Sequence, residues 1–196
     1  MARLIARESV IKTAVPSTYA FPIDYPPLKV SEKPYEGILR LQGSGTDQIV
    51  FAAVANVFGI ELPGVGNFVE GFECEIAWAG PKEWLLFVPA DKQDAFASAL
   101  RAALQGTFAT VTLISDSRVC LQVSAPAAWE FIAKGCSVDC DPQVFVPGRV
   151  ITTRFANQPA MIIHQCLGHY RIYVEASLIV ATVAWLADAA KEFTAV

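Results

Sequence analysis

The stretch Trp78-Ala79-Gly80-Pro81-Lys82-Glu83-Trp84-Leu85-Leu86-Phe87-Val88-Pro89 constrains the fold more tightly than any other part of the chain. Aromatic and aliphatic residues flank a Gly-Pro pair, which predicts two strands joined by a tight turn. Asp91 is placed to cap the helix that follows. Phe96, Leu100, Ala103 and Leu104 form that helix's apolar stripe and Gly106 its stop. A strand pair that runs into an amphipathic helix has to bury one face of each element against the other, which calls for a layered α+β architecture.

The same strand-then-helix unit recurs four times. Ile38-Leu39-Arg40-Leu41 leads into a helix from about Thr46 to Phe58, closed by Gly59. The hairpin and helix around residue 90 form the second unit. Val119-Cys120-Leu121-Gln122-Val123 precedes a third helix, with Ser124 or Ala125 at its cap, Pro126 in its first turn and Gly135 as a left-handed stop. Tyr170-Arg171-Ile172-Tyr173-Val174 precedes a fourth, from Ser177 to about Lys191. Further strands are expected at residues 74–78, 108–114, 150–156 and 160–165, the last two forming a hairpin that turns at Asn157-Gln158-Pro159. Each half then reads β-α-β-β-α-β, the split βαβ order, so the expectation is two pseudo-repeated ferredoxin-like lobes. The first lobe spans residues 35–114 and the second 115–196, packed as one compact unit. Residues 1–34 form a proline-rich extended arm, since five of the twelve prolines (Pro16, Pro22, Pro26, Pro27 and Pro34) fall there and proline disfavours helix and inner strand. Tyr19, Phe21 and Tyr25 make that arm sticky, and it packs either on its own domain or over a neighbouring subunit. The fourth helix is apolar all round from Leu178 to Ala187, which predicts burial on every side, between two layers of its own domain or against a partner.

Composition narrows the function classes. The chain is 54% hydrophobic and only 17% charged, against a usual charged share of roughly 25%. Its longest uncharged apolar runs, residues 49–60 and 176–187, fall short of the ~20 residues a membrane-spanning helix needs. No secretory h-region stands at the N-terminus. A protein partner is therefore the expected cover for the apolar surplus. Residues 1–40 carry a net charge of +2 and residues 41–196 a net −6. This acidic body argues against binding nucleic acid by neutralising phosphates. Five cysteines (Cys74, Cys120, Cys136, Cys140 and Cys166) make an odd set with no C-x-x-C pair. They read as reduced thiols of a cytoplasmic protein.

No catalytic constellation emerges, and neither a cofactor-binding nor a metal site is expected. The only two histidines, His164 and His169, flank a turn at Leu167-Gly168 with no carboxylate or third ligand beside them. Asp116 and Arg118, in Ser115-Asp116-Ser117-Arg118, read as a hydrogen-bonded joint at the lobe boundary. Arg118 has a partner's carboxylate as its other possible target. In Lys134-Gly135-Cys136-Ser137-Val138-Asp139, Asp139 is explained by turn chemistry, and Cys136 and Cys140 stand too far from histidine or further thiols to suggest metal. Gly43-Ser44-Gly45 precedes a helix but lacks a dinucleotide loop's third glycine and a P-loop's lysine. Gly64-Val65-Gly66 has no helix start behind it.

Several of these blocks, taken in order, resemble the gamma subunit family of heterotetrameric sarcosine oxidase. They are Trp78-x-Gly80-Pro81-x-Glu83-Trp84-Leu85-Leu86, Ser115-Asp116-x-Arg118, Ser124-Ala125-Pro126 and Ala133-Lys134-Gly135-Cys136-x-x-Asp139. Phe145-x-Pro147-Gly148 before Thr152-Thr153, Tyr170-x-Ile172-Tyr173-Val174-x-x-Ser177, Trp185-Leu186 and Glu192-Phe193 complete them. The resemblance implies a fold similar to the folate-binding domain of aminomethyltransferases. It also implies an assembly, with alpha, beta and delta subunits, that oxidatively demethylates sarcosine to glycine. FAD, FMN, NAD, tetrahydrofolate and zinc are then expected on the other subunits, and no cofactor on this one. Related assemblies that oxidise N-methylglutamate use a similar subunit. The competing expectation is a stand-alone folate-binding or aminomethyltransferase-like protein, for which Asp116 and Asp139 are the carboxylates able to hold a pterin ring.

Overall fold

The computed structural model describes residues 9–44 and 47–193. In chain order the elements are α1 (Val10–Ala14), β1 (Ile23–Tyr25), β2 (Leu28–Glu32), β3 (Gly37–Gln42), α2 (Gln48–Phe58), β4 (Phe68–Glu70), β5 (Glu75–Gly80) and β6 (Glu83–Val88). There follow α3 (Gln93–Ala103), β7 (Thr110–Leu113), β8 (Arg118–Ser124), α4 (Ala128–Ala133), β9 (Arg149–Phe155), β10 (Gln158–Cys166), β11 (His169–Glu175) and α5 (Ile179–Ala189). They divide into two compact units. One is drawn from Tyr35–Ser115, the other from the described residues up to Pro34 together with those from Asp116 onward.

The first unit is a five-stranded antiparallel sheet in the order β4-β5-β6-β3-β7. Leu39 and Leu41 of β3 and Trp84, Leu86 and Val88 of β6 alternate onto one face. There they meet Val50, Ala53 and Val54 of α2 and Ala97, Leu100 and Leu104 at the end of α3. Asp47 caps α2 by accepting from the Ile49 N–H at 2.9 Å. Gly59 closes it in the left-handed region at φ 70°. The expected start near Thr46 lies outside the described residues. The predicted hairpin is present, with Trp78 opposite Trp84 and a register shift before Gly80. Its left-handed residue is Lys82 rather than Gly80.

Two local expectations for α3 fail. A 3-10 turn over Ala90–Lys92 precedes the helix, so Asp91 lies inside that turn and no side chain caps α3. Ala97, not the exposed Ala103, joins Leu100 and Leu104 in the buried stripe, because 97, 100 and 104 share a narrow arc of the helix and 103 lies on its flank beside the half-buried Phe96.

The second unit is a six-stranded antiparallel sheet in the order β1-β2-β8-β11-β10-β9. Val119, Leu121 and Val123 of β8 and Tyr170, Ile172 and Val174 of β11 face a core completed by Phe131 and Ile132 of α4 and Val183 and Leu186 of α5. Residues 23–32, expected to be irregular, form a hairpin, and β2 is an inner strand paired on both sides. The physical reason is the placement of the prolines. Pro22, Pro26 and Pro27 bracket the strands, and none falls within Leu28–Glu32, so every N–H of β2 is available to its neighbours. Leu28 and Val30 point inward and are fully buried. The second half therefore does not complete β-α-β-β-α-β from its own residues. After α5 comes a 3-10 turn, Ala190–Phe193, and the place beside β8 belongs to β2.

Three further corrections concern this unit. The α4 cap is Ala127, without a side-chain hydrogen bond, so Ser124 and Ala125 stay outside the helix. The β9–β10 turn is Ala156-Asn157, both at positive φ as a two-residue hairpin turn requires, and Pro159 lies within β10 opposite Arg154. Finally, α5 is buried along one stripe only: Ile179, Thr182, Val183 and Leu186. Val180 and Ala181 are exposed, so apolar composition all round does not become burial all round.

Candidate functional site

The residues singled out by chemistry do not converge. His164 is fully buried on β10, where its Nδ1–H donates to the Phe145 carbonyl oxygen and its ring stacks on Tyr170 with centroids 4.2 Å apart. His169 is exposed on β11 opposite Ser124. The hairpin thus sends the two imidazoles to different environments, and His164 serves as an aromatic core residue.

Arg118 pairs with Glu175 at 3.8 Å, its cross-strand partner between β8 and β11. Such a pair at the surface is worth up to about 1 kcal/mol. Ser115, fully satisfied inside the first unit, accepts from the Ile38 N–H at 2.8 Å and donates to Gln93 Oε1 at 2.6 Å. Asp116 lies exposed in the 3-10 turn Ser115–Ser117. Asp139 is exposed as well, and its Oδ1 accepts from the Asp141 N–H at 2.9 Å, which is turn chemistry. Neither carboxylate lines either of the two grooves that follow.

Two shallow grooves occur among the described residues. One, of about 440 Å³, runs along Asn56 and Val57 of α2 and Lys92, Ala95, Phe96 and Ala99. Lys92 there is already paired with Glu73. The other, of about 450 Å³, is lined by Ser9, Lys12, Tyr19, Phe21, Pro22 and Glu32 among others. Ser9 donates to Glu32 and caps α1 by accepting from the Lys12 N–H at 3.0 Å. The second groove does set the Ser9 hydroxyl beside the Glu32 carboxylate, but the Ser9 oxygen also caps α1, which is a structural use. No group of three or more His, Cys, Asp or Glu among the described residues is placed to hold a metal ion.

The segment after α4 carries packing that sequence reasoning missed. Gly135 is not a left-handed stop, since it is absent from the positive-φ glycines. A Cβ there would lie 2.6 Å from Cη2 of Trp185, so the position is glycine because an indole occupies the space. Lys134 reaches Glu192 and lies 5.3 Å above the Phe193 ring. Cys140 is buried, and its thiol donates to the Val138 carbonyl oxygen at 3.3 Å.

Large apolar side chains remain uncovered. Phe72 and Phe108 are fully exposed, and Val65, Val144 and Leu167 are largely so. Among the described residues, no helix is long and apolar enough to cross a membrane.

Known proteins place this arrangement. The profile described as "Sarcosine oxidase, gamma subunit family" matches residues 42–192. A sarcosine oxidase subunit gamma from Corynebacterium sp. (strain U-96) is 36% identical over 146 residues, covering 74% of this chain and 70% of the relative. One from Corynebacterium sp. (strain P-1) is 35% identical over 161 residues, covering 80% and 75%. Among solved structures, the fold matches a chain of the heterotetrameric sarcosine oxidase from Corynebacterium sp. U-96, in complex with pyrrole 2-carboxylate. The TM-score is 0.83 at 29% identity, over 97% of each chain. The glycine cleavage system aminomethyltransferase T from Bartonella henselae shares the fold, with a TM-score of 0.61 at 11% identity over 80% of this chain and 44% of the other. By the extent of the family match and its identity to these relatives, the chain belongs to the sarcosine oxidase gamma subunit family.

Proposed function

We propose that this chain is the non-catalytic gamma subunit of a heterotetrameric sarcosine oxidase, a cytoplasmic assembly that oxidatively demethylates sarcosine to glycine. The companions are alpha, beta and delta subunits. They carry FAD, FMN, NAD, tetrahydrofolate and zinc, release the methyl carbon as formaldehyde or methylene-tetrahydrofolate, and yield hydrogen peroxide. The observation that carries the reading is the likeness over 97% of both chains to a subunit of that heterotetramer. The residues agree with such a role. His164, Asp139, Arg118 and Lys134 are each engaged in packing, turns or ion pairs. Phe72 and Phe108 stand in water, as residues do that a larger neighbour covers.

Reconstitution tests it. Turnover of sarcosine should be absent with this chain alone and absent or unstable with the larger subunits alone, and should be restored when they are co-expressed. Turnover by the single chain, or an assembly indifferent to its omission, would contradict the proposal. A stand-alone folate protein predicts instead saturable binding of a reduced folate by the isolated chain.

A further inference from the structure

A strand at the edge of a sheet offers unpaired N–H and C=O groups to any extended chain that meets it, and proteins blunt such edges with charges, prolines, short length or cover. Among the described residues, three of the four strands that end the two sheets carry charges: Asp24 in β1, Glu70 in β4, and Arg149 and Arg154 in β9. The fourth, β7, reads Thr110-Val111-Thr112-Leu113, with no charge and no proline. Its β-branched residues favour extended pairing, and Thr110 and Thr112 are exposed. In the second unit the equivalent strand, β2, is covered on its outer side by β1. Among the described residues no strand lies outside β7.

The register fixes which backbone groups of β7 face outward. The Ile114 N–H bonds the Ile38 carbonyl oxygen at 2.9 Å, and the same ladder sets Thr112 opposite Arg40 and Thr110 opposite Gln42. Antiparallel ladders alternate bonded and non-bonded pairs. Thr110 and Thr112 therefore direct their N–H and C=O groups toward β3, and Val111 and Leu113 turn theirs away from it. The outward Val111 carbonyl oxygen is taken. Arg101, in the last turn of α3, donates to it from Nε at 3.1 Å and from Nη2 at 3.0 Å. A cationic donor holds that oxygen against a neutral amide, since charge-assisted bonds are roughly twice as strong.

We propose that the outer edge of β7 is a strand-pairing surface for a second copy of this chain, which Arg101 keeps closed by holding the Val111 carbonyl oxygen. The edge is complementary to itself. With two copies antiparallel about Thr112, Val111 of each faces Leu113 of the other, and each such pair exchanges N–H···O bonds. In that register every Leu113 N–H requires a Val111 carbonyl oxygen, the atom that the guanidinium occupies. Thr112 stands opposite its own copy, a favourable cross-strand match. The closure concerns only the chain's association with itself, and it holds whether or not larger subunits are present.

Hydrogen exchange over residues 109–113 of the full-length chain, read across a range of protein concentrations, tests the proposal. Arg101→Met keeps an unbranched, helix-forming stem and removes the donors. This variant should self-associate as concentration rises. Its exchange over residues 109–113 should slow roughly tenfold against the unaltered chain at the same concentration, with exchange over β4 unchanged. Arg101→Lys keeps the charge without the fork and should fall between the two. Adding Thr112→Lys to Arg101→Met should disperse the copies, because like charges then face each other, and Thr112→Asp should do the same. A mixture of those two double variants should pair again. Unchanged exchange over residues 109–113 in both Arg101 variants, association that leaves that exchange unaltered, or a mixture that stays dispersed would overturn the proposal.

Discussion

The two sheets share the run β7-β3-β6-β5-β4 and β2-β8-β11-β10-β9, strand for strand, yet the fourth strand of the split βαβ order has different origins. In the first unit β7 follows α3 directly and ends the sheet as an edge. In the second, β2 comes from far upstream and lies inside the sheet, covered on its outer side by β1. One architecture can therefore be closed by a local strand or by a distant one, and the distant one carries more of the core. Leu28 and Val30 are fully buried, whereas Val111 of β7 is 9% exposed.

The largest effect that would break this comparison is a charge in each fourth strand. Leu28→Asp places a carboxylate in a dry core and is expected to cost about 4 kcal/mol or more. Val111 is also a core residue, but it is 9% exposed on an edge strand, so the carboxylate of Val111→Asp reaches water more readily and should cost about half as much. Urea unfolding with hydrogen exchange read separately over the two sheets checks it. Equal costs would mean that β2 is no more central than β7.

Two of the glycines that follow helices sharpen it further. Gly106 sits at φ 82° in open space, and Gly135 has Trp185 against it. Gly106→Ala is a matter of backbone handedness and should cost about 1 kcal/mol. Gly135→Ala is overpacking and should cost about 1–3 kcal/mol, relieved when Trp185 is shortened to leucine in a double-mutant cycle. Additivity in that cycle would remove the steric explanation.

The smallest effect is confined to high pH and to the second unit. Burial, ahead of the nearby Cys140 and Asp141 charges, pushes the Tyr170 phenol up to about 12 from its ordinary 10.0. The unfolded chain then releases this proton first. The contribution is whole below about pH 10 and is lost as pH rises toward 12. Phenolate absorbance should show a late-titrating tyrosine, and Tyr170→Phe should remove it together with that part of the alkaline loss.

What the sequence made legible was local. The hairpin through Pro81, the Gly59 cap and the β8, β10 and β11 strands all announce themselves within a dozen residues. The pairing of β2 with β8 joins Lys29 to Ser124 and has no local sign, and five prolines nearby point the other way. The outer face of α5 is built from valine and alanine, so hydropathy carries no stripe, and burial there had to be read from packing. Gly135 was mistaken for a cap because a helix end and a crowded contact both select glycine. The resemblance that placed the family survived these errors, since it rests on blocks in order rather than on the fate of any one residue.

The central claim is that this chain works as one subunit among larger ones, and native mass measurement of the tagged chain purified from its own cells tests it most directly. The account predicts a single species holding this chain and larger flavin-bearing chains in fixed stoichiometry, which turns over sarcosine. A monodisperse free chain that oxidises or demethylates an N-methyl amine unaided would contradict it.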